Sequence, residues 1–146
     1  MSLEIEVRLH IYWRFAEEGR PPTVEQTAQA LDSPPADVEA AYRHLAEGRV
    51  IVLEPGTTDI WMANPFCARP TSFRVQARDR WWWGTCAWDA PGILAMLDTD
   101  GTVATTCADC GESIELVVEG SSLLPAEAVG HFAVPAARWW EDIGYT

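Results

Sequence analysis

Chemistry concentrates in the segment Trp83-Gly-Thr-Cys86-Ala-Trp-Asp89. Read as the opening of a helix, it sets a thiol where backbone amides lack partners and where the helix dipole is positive. Both favour the thiolate, and such placements bring cysteine from about 8.5 into a range of roughly 3.5–7.5. Asp89, three residues further on, returns to the same side of the helix. Together the two residues would supply a soft ligand and a proton carrier, with the neighbouring tryptophans keeping water out. The plainer alternative makes Cys86 a small buried side chain and Asp89 an ordinary helix-start charge.

The remaining thiols are Cys67, Cys107 and Cys110. Cys107-Ala-Asp-Cys110 is a single Cys-x-x-Cys, whereas structural zinc takes four ligands, commonly from two such pairs. Only His10, His44, His131 or the other cysteines could complete a set, and none stands at a recognisable spacing. A redox dithiol would need a thioredoxin-like βαβ setting, which the pattern lacks. The pair is therefore expected to be structural or incidental. His131 lies in an apolar stretch and is expected to be a satisfied core histidine in a further strand beginning there. Trp81–Trp83 and Trp139-Trp140 read as core or pocket wall.

The elements that must position these groups follow from periodicity. Leu3, Val7, Ile11 and Phe15 recur at helical spacing, and the segment 3–17 ends in Glu-Glu-Gly-Arg-Pro-Pro, a breaker. Thr23-Val-Glu-Gln26 is a capping box opening a short helix through Leu31. Ser33 as N-cap and Pro34 in the first turn start a third helix to about Ala46, with Val38, Ala41, Tyr42 and Leu45 on one face and Gly48 ending it. A strand over 49–53, a turn over 54–59 and a return strand over 60–63 complete the order of a winged helix. Its third helix, however, sets Asp37, Glu39 and Glu47 against Arg43 and His44, a poor match to phosphates. Beyond residue 63, Asn64-Pro65-Phe66 and Arg69-Pro70-Thr71 signal loops. Strands follow near 73–77, 81–83, 102–106 and 113–118, with a turn at Pro125. The fold class is α+β, with a winged-helix-like three-helix module and β-hairpin over 1–63. A small mixed or antiparallel sheet domain over 64–146 follows, with a helix starting at Cys86.

Composition sets outer limits. The chain has 146 residues, 48% of them apolar, with eight Trp, which is ample for a packed interior. No apolar stretch reaches the roughly twenty residues of a membrane span, and the N-terminus lacks a secretory pattern. A cytoplasmic protein is expected, with its cysteines as thiols. The net charge is −12, and all ten basic residues are Arg. That average field repels polyanions, so a nucleic-acid partner is disfavoured.

Five ordered segments carry a resemblance. They are Asn64-Pro-Phe, Pro70-Thr-x-Phe-Arg-Val, Trp82-Trp-x-x-Cys-Ala-Trp-Asp-Ala-x-Gly-Ile, Cys107-x-Asp-Cys-Gly-Glu and Glu127-Ala-Val-x-His-Phe-Ala-Val-Pro-Ala-x-Arg-Trp-Trp-x-Asp-Ile. Over about residues 60–146 the chain resembles the alkylmercury lyase (organomercurial lyase) family. The resemblance implies protonolysis of a carbon–mercury bond, giving hydrocarbon and Hg(II) from an organomercurial. It places the family's first catalytic cysteine on Cys86 and its aspartate on Asp89, both also contacting mercury. No other cofactor is implied. Hg(II) remains as bound product until cellular thiols remove it. Softness supports the assignment, since thiolates capture soft metals and a sulfur-bound metal leaves its carbon easier to protonate. The family's second catalytic cysteine lies just past the segment resembling Trp139–Thr146, where this sequence stops, which implies either a C-terminally truncated catalytic domain or a protein that lacks that thiol. Cys67 is the substitute nearest in sequence to the catalytic strand, and Cys107 and Cys110 are further secondary thiols. Two other functions fit the same residues: a non-catalytic thiol metal-binding or winged-helix regulatory protein, and a diverged enzyme with another substrate.

Overall fold

A computed structural model describes residues 1–145. Three helices come first. In α1 (Leu3–Glu18) the four-residue spacing buries Val7, Ile11 and Phe15. Gly19 ends the helix at φ 70°, its N–H donating to the Phe15 carbonyl at 2.9 Å, a conformation glycine adopts without strain. α2 (Val24–Ala30) opens on the expected capping box, with both the Gln26 N–H to Thr23 hydroxyl and the Thr23 N–H to Gln26 side-chain bonds formed. α3 (Pro35–Glu47) buries Val38, Ala41, Tyr42 and Leu45, the face read from the sequence. Its cap differs from expectation: Pro34 holds the N-cap position, and the Ser33 hydroxyl turns back to the Leu31 carbonyl at 3.1 Å. Tyr42 ties the helices together through Thr27 Oγ1 at 2.7 Å and the Pro22 carbonyl at 3.2 Å, and burial pushes its hydroxyl up to about 12. On α3, Arg43 pairs with Glu39 at 2.7 Å and His44 with Glu4 at 2.6 Å, so both cations are already matched by acid.

The rest of the molecule is organised by one antiparallel sheet. Its strands are β1 (Val52–Leu53), β2 (Ile60–Ala63), β3 (Phe66–Cys67), β4 (Arg74–Ala77), β5 (Arg80–Gly84), β6 (Gly101–Thr106), β7 (Ser113–Glu119) and β8 (Ser122–Leu124). The spatial order is β1-β2-β3-β5-β4-β6-β7-β8. β1 is shorter than the expected 49–53, because Arg49 takes φ 59° and the Val50 N–H returns to the Leu45 carbonyl. Residues 49–50 thus close α3 instead of extending the strand. β3 lies where a loop is expected. Two residues carry little strand signal, and pairing on both sides, Met62↔Cys67 with β2 and Cys67↔Trp83 with β5, makes the strand. No strand begins at His131. That residue is exposed, and a short 3₁₀ turn over Ala136–Glu141 follows. Gly130 and Pro135 flank the stretch, a poor sequence for extending a ladder.

One face of the central sheet is covered by helices, and on the other the β4 side chains Arg74 and Gln76 reach solvent. Along the same strand Val75 and Ala77 are buried. Trp82 shares the inner face, with its ring N–H donating to the Phe15 carbonyl at 2.9 Å, and Phe15 stacks on Phe66 with centroids 5.2 Å apart. The fourth helix, α4 (Asp89–Met96), packs beside them through Ala90, Ile93 and Leu94. On the outer face Trp81 and Trp83 meet edge to face at 5.4 Å, with Arg74 over the Trp81 ring. None of the helices is long and apolar enough to cross a membrane among the described residues.

Close packing of α4 on β5 requires Gly84. A Cβ there would meet the Cα and Cβ of Ala90 at 2.7 Å and its backbone N at 3.0 Å. Gly84→Ala must push strand and helix apart, and overpacking of this kind costs about 1–3 kcal/mol. Urea denaturation is expected to show a loss of that size, whereas Gly92→Ala, inside α4 where an added Cβ meets nothing within 4 Å, should gain about 0.4–1 kcal/mol.

Candidate functional site

The segment leaving β5 turns through Thr85, Cys86, Ala87 and Trp88 into α4. Regular helix begins at Asp89, and the Ala90 N–H reaches back to the Cys86 carbonyl at 3.0 Å, so the cysteine stands at the mouth of the helix. Its thiol donates to Asp89 Oδ2 at 3.5 Å, within the wider limit that sulfur allows. Cys86 is half-buried. The backbone amides of Asp89 and Trp88 also point at the sulfur.

Ionisation runs against the expectation drawn from the helix terminus. Burial pushes the Cys86 thiol up, the two amides pull it down, and the Asp89 charge pushes it up again, for a net rise. Burial also raises the Asp89 carboxyl, while the bond from Cys86 holds it lower than burial alone would. The reason is collective: two acidic groups share a poorly solvated pocket, where a second negative charge is more costly than the first. The arrangement favours one proton held between sulfur and carboxylate.

Neighbouring residues fix this pair in place. The Thr85 N–H donates to the Pro65 carbonyl at 3.2 Å, and its hydroxyl donates to Asn64 Oδ1 at 3.2 Å. Tyr12, half-buried on α1, donates its hydroxyl to the Asn64 carbonyl at 3.1 Å. Burial raises the Tyr12 hydroxyl, Arg8 opposes this, and the Asp89 charge adds to the rise, so the phenol lies within the field of the carboxylate. Thr71 fastens the end of β5 by donating to the Gly84 carbonyl at 2.7 Å. Asn64-Pro65-Phe66 stands out in sequence only as a turn. Tyr12 gives no local signal, because its partner is 52 residues away.

The other cysteines are not brought to this pair. Strand register explains Cys67: Phe66, opposite Gly84, faces the helices, so Cys67, opposite Trp83, faces the other side of the sheet. Cys67 is only 2% exposed, and burial pushes its thiol up, with Trp61 and Arg69 as neighbours. It is a sealed strand residue, not the loop thiol expected. Cys107 and Cys110 sit in the β6–β7 connection. There the amides of Cys110 and Asp109 hold the Cys107 thiol below its ordinary range. Among the described residues no group of three or more His, Cys, Asp or Glu is placed to hold a metal.

A largely apolar groove of about 1120 Å³ runs from Phe73, Ala87 and Trp88 past Pro91 to Cys107 and Phe132. Ala87 and Trp88 connect Cys86 to Asp89 in sequence, so the pair adjoins this groove without lining it. Trp88 is 74% exposed at its edge, an apolar surface close to the thiol.

Comparison with known proteins adds two findings. The family model described as alkylmercury lyase matches residues 66–146, more than half of the chain. A solved structure described as the mercury-bound form of MerB2 superposes with a TM-score of 0.65 at 22% identity, over 81% of this chain and 58% of that one. The chain therefore spans less than two thirds of that protein. No curated protein matches the chain.

The Cys86–Asp89 coupling has a titration signature. Asp89→Asn removes both the charge and the carboxylate acceptor that raise the thiol, so the pH midpoint for iodoacetamide alkylation of Cys86 should fall. Mass mapping of the Cys86 peptide reads this separately from the other thiols. A midpoint unchanged by the substitution would show that the carboxylate and the thiol do not interact.

Proposed function

The chain belongs to the alkylmercury lyase family, and from that premise we propose that it cleaves a carbon–mercury bond by protonolysis. Cys86 acts as the mercury-binding thiol and Asp89 as the proton carrier. The observation that supports this most is the bond from Cys86 Sγ to Asp89 Oδ2 at 3.5 Å.

The chemistry follows from that contact. An organomercurial R–Hg–X meets the Cys86 thiol. As sulfur bonds mercury, X⁻ leaves, and the thiol proton passes along the existing hydrogen bond to the Asp89 carboxylate. Sulfur donation raises electron density on the mercury-bound carbon. The Asp89 carboxyl then protonates that carbon, R–H departs with the electron pair of the carbon–mercury bond as its new C–H bond, and the freed carboxylate binds the mercuric ion. Burial raises the Asp89 carboxyl, which favours its holding the proton between the two transfers. In this scheme the second sulfur comes from solution. Two small thiols take Hg(II) as a bis-thiolate, restoring the Cys86 thiol and the Asp89 carboxylate and releasing one proton.

The surroundings suit this task. Trp88 and the adjoining apolar groove offer a surface for an organic group. Tyr12, Asn64 and Thr85 keep the cysteine turned toward the acid.

Incubation with phenylmercuric acetate in excess small thiol, with benzene measured in the headspace, tests the assignment. Cys86→Ser is expected to abolish benzene release. Asp89→Asn should reduce it by roughly 10²–10⁴-fold, the usual contribution of a positioned general acid. Unchanged release in Cys86→Ser would contradict the scheme.

A further inference from the structure

The dithiol at the β6–β7 connection takes no part in the scheme above, yet one tight turn holds both of its cysteines. β6 ends at Thr106 and β7 starts at Ser113. The connection is clamped by the Cys107 N–H to the Glu112 carbonyl at 2.8 Å and the Gly111 N–H to the Cys107 carbonyl at 2.9 Å. Gly111 sits at φ 74°, a conformation in which a side chain would be strained. The bond from the Gly111 N–H to the Cys107 carbonyl closes a tight turn that carries both cysteines, and the Cys110 and Asp109 amides, then the Cys110 side chain, hold the Cys107 thiol below its ordinary range. Cys110 is exposed and Cys107 half-exposed, in contrast to the sealed Cys67.

We propose that Cys107 and Cys110 form a second metal site that binds one soft, thiophilic divalent ion of the mercuric class as a two-coordinate dithiolate. Ligand number selects the ion. Zinc requires four ligands, and among the described residues no third His, Cys, Asp or Glu joins this pair in a metal-holding group. A soft ion that is content with two sulfurs needs none. Location supports the same occupant: Cys107 lines the groove that Ala87 and Trp88 also line, so mercury leaving the Cys86 pair has a dithiol along the same surface. Binding converts two thiols and HgX₂ into a bis-thiolate with release of two HX, and no oxidant or reductant is needed.

Only the source of the ion depends on the lyase function, so the test supplies mercuric chloride directly to Cys86→Ser protein. One Hg(II) per chain should be retained through dialysis against excess glutathione. Two thiols should be lost to a colorimetric reagent, and a sulfur-to-mercury charge-transfer band should appear. Adding Cys110→Ser, at an exposed position that folding does not need, should weaken retention by roughly 100-fold or more, because the chelate is lost. Equal retention with and without Cys110 would overturn the proposal, as would a pair that reacts with neither reagent nor metal. Cys110→Ser alone should leave benzene release in excess small thiol unchanged, so failure of the dithiol site and failure of the lyase function are separately visible.

Discussion

The contact between the Cys86 thiol and the Asp89 carboxylate governs the site. Each group alone would be a poorly solvated acid, and burial raises both. Side by side they cannot both ionise without placing two negative charges in the same partly dry pocket. The thiol–carboxylate bond resolves this by keeping one charge and one proton between them. That state also suits the proposed protonolysis, in which the proton that sulfur loses on binding mercury passes to Asp89 and from there to carbon.

The scaffold serves that contact through three constraints. Gly84 lets α4 lie against β5 with almost no gap, which fixes where the helix, and hence Asp89, begins. Thr85, held by Asn64 and Pro65, sets the chain path just before the thiol. Tyr12 and Phe15 join the first helix to the Asn64 turn and to Trp82, so the N-terminal helices brace the site from the covered face of the sheet. The same alternation that buries Phe66 turns Cys67 away. A cysteine whose strand pairs with β5 is thereby put on the side of the sheet away from Cys86 and Asp89.

Sequence patterns were legible where the structure is local. Val7, Ile11 and Phe15 fall on one helical face, Thr23 and Gln26 form their box, and the three-residue spacing of Cys86 and Asp89 brings them into contact. Features created by distant partners were not legible. β3 exists because β2 and β5 flank it, and β1 is short because α3 claims residues 49–50 for its own end. Thiol ionisation belongs to the same class. A helix terminus can be read from sequence and argues for a lowered thiol, but burial and the charge of Asp89 are products of packing, and here they prevail. The stretch around His131 shows the converse, since apolar residues alone do not make a strand between Gly130 and Pro135.

Infrared spectroscopy of the S–H stretch tests the shared proton most directly. At neutral pH the protein should show an S–H band that disappears in Cys86→Ser, lies at lower frequency than that of an unbonded thiol, and moves upward when Asp89 becomes Asn. A spectrum in which no band depends on Cys86, meaning a thiolate already formed, or one in which its frequency ignores the Asp89 substitution, would contradict the account.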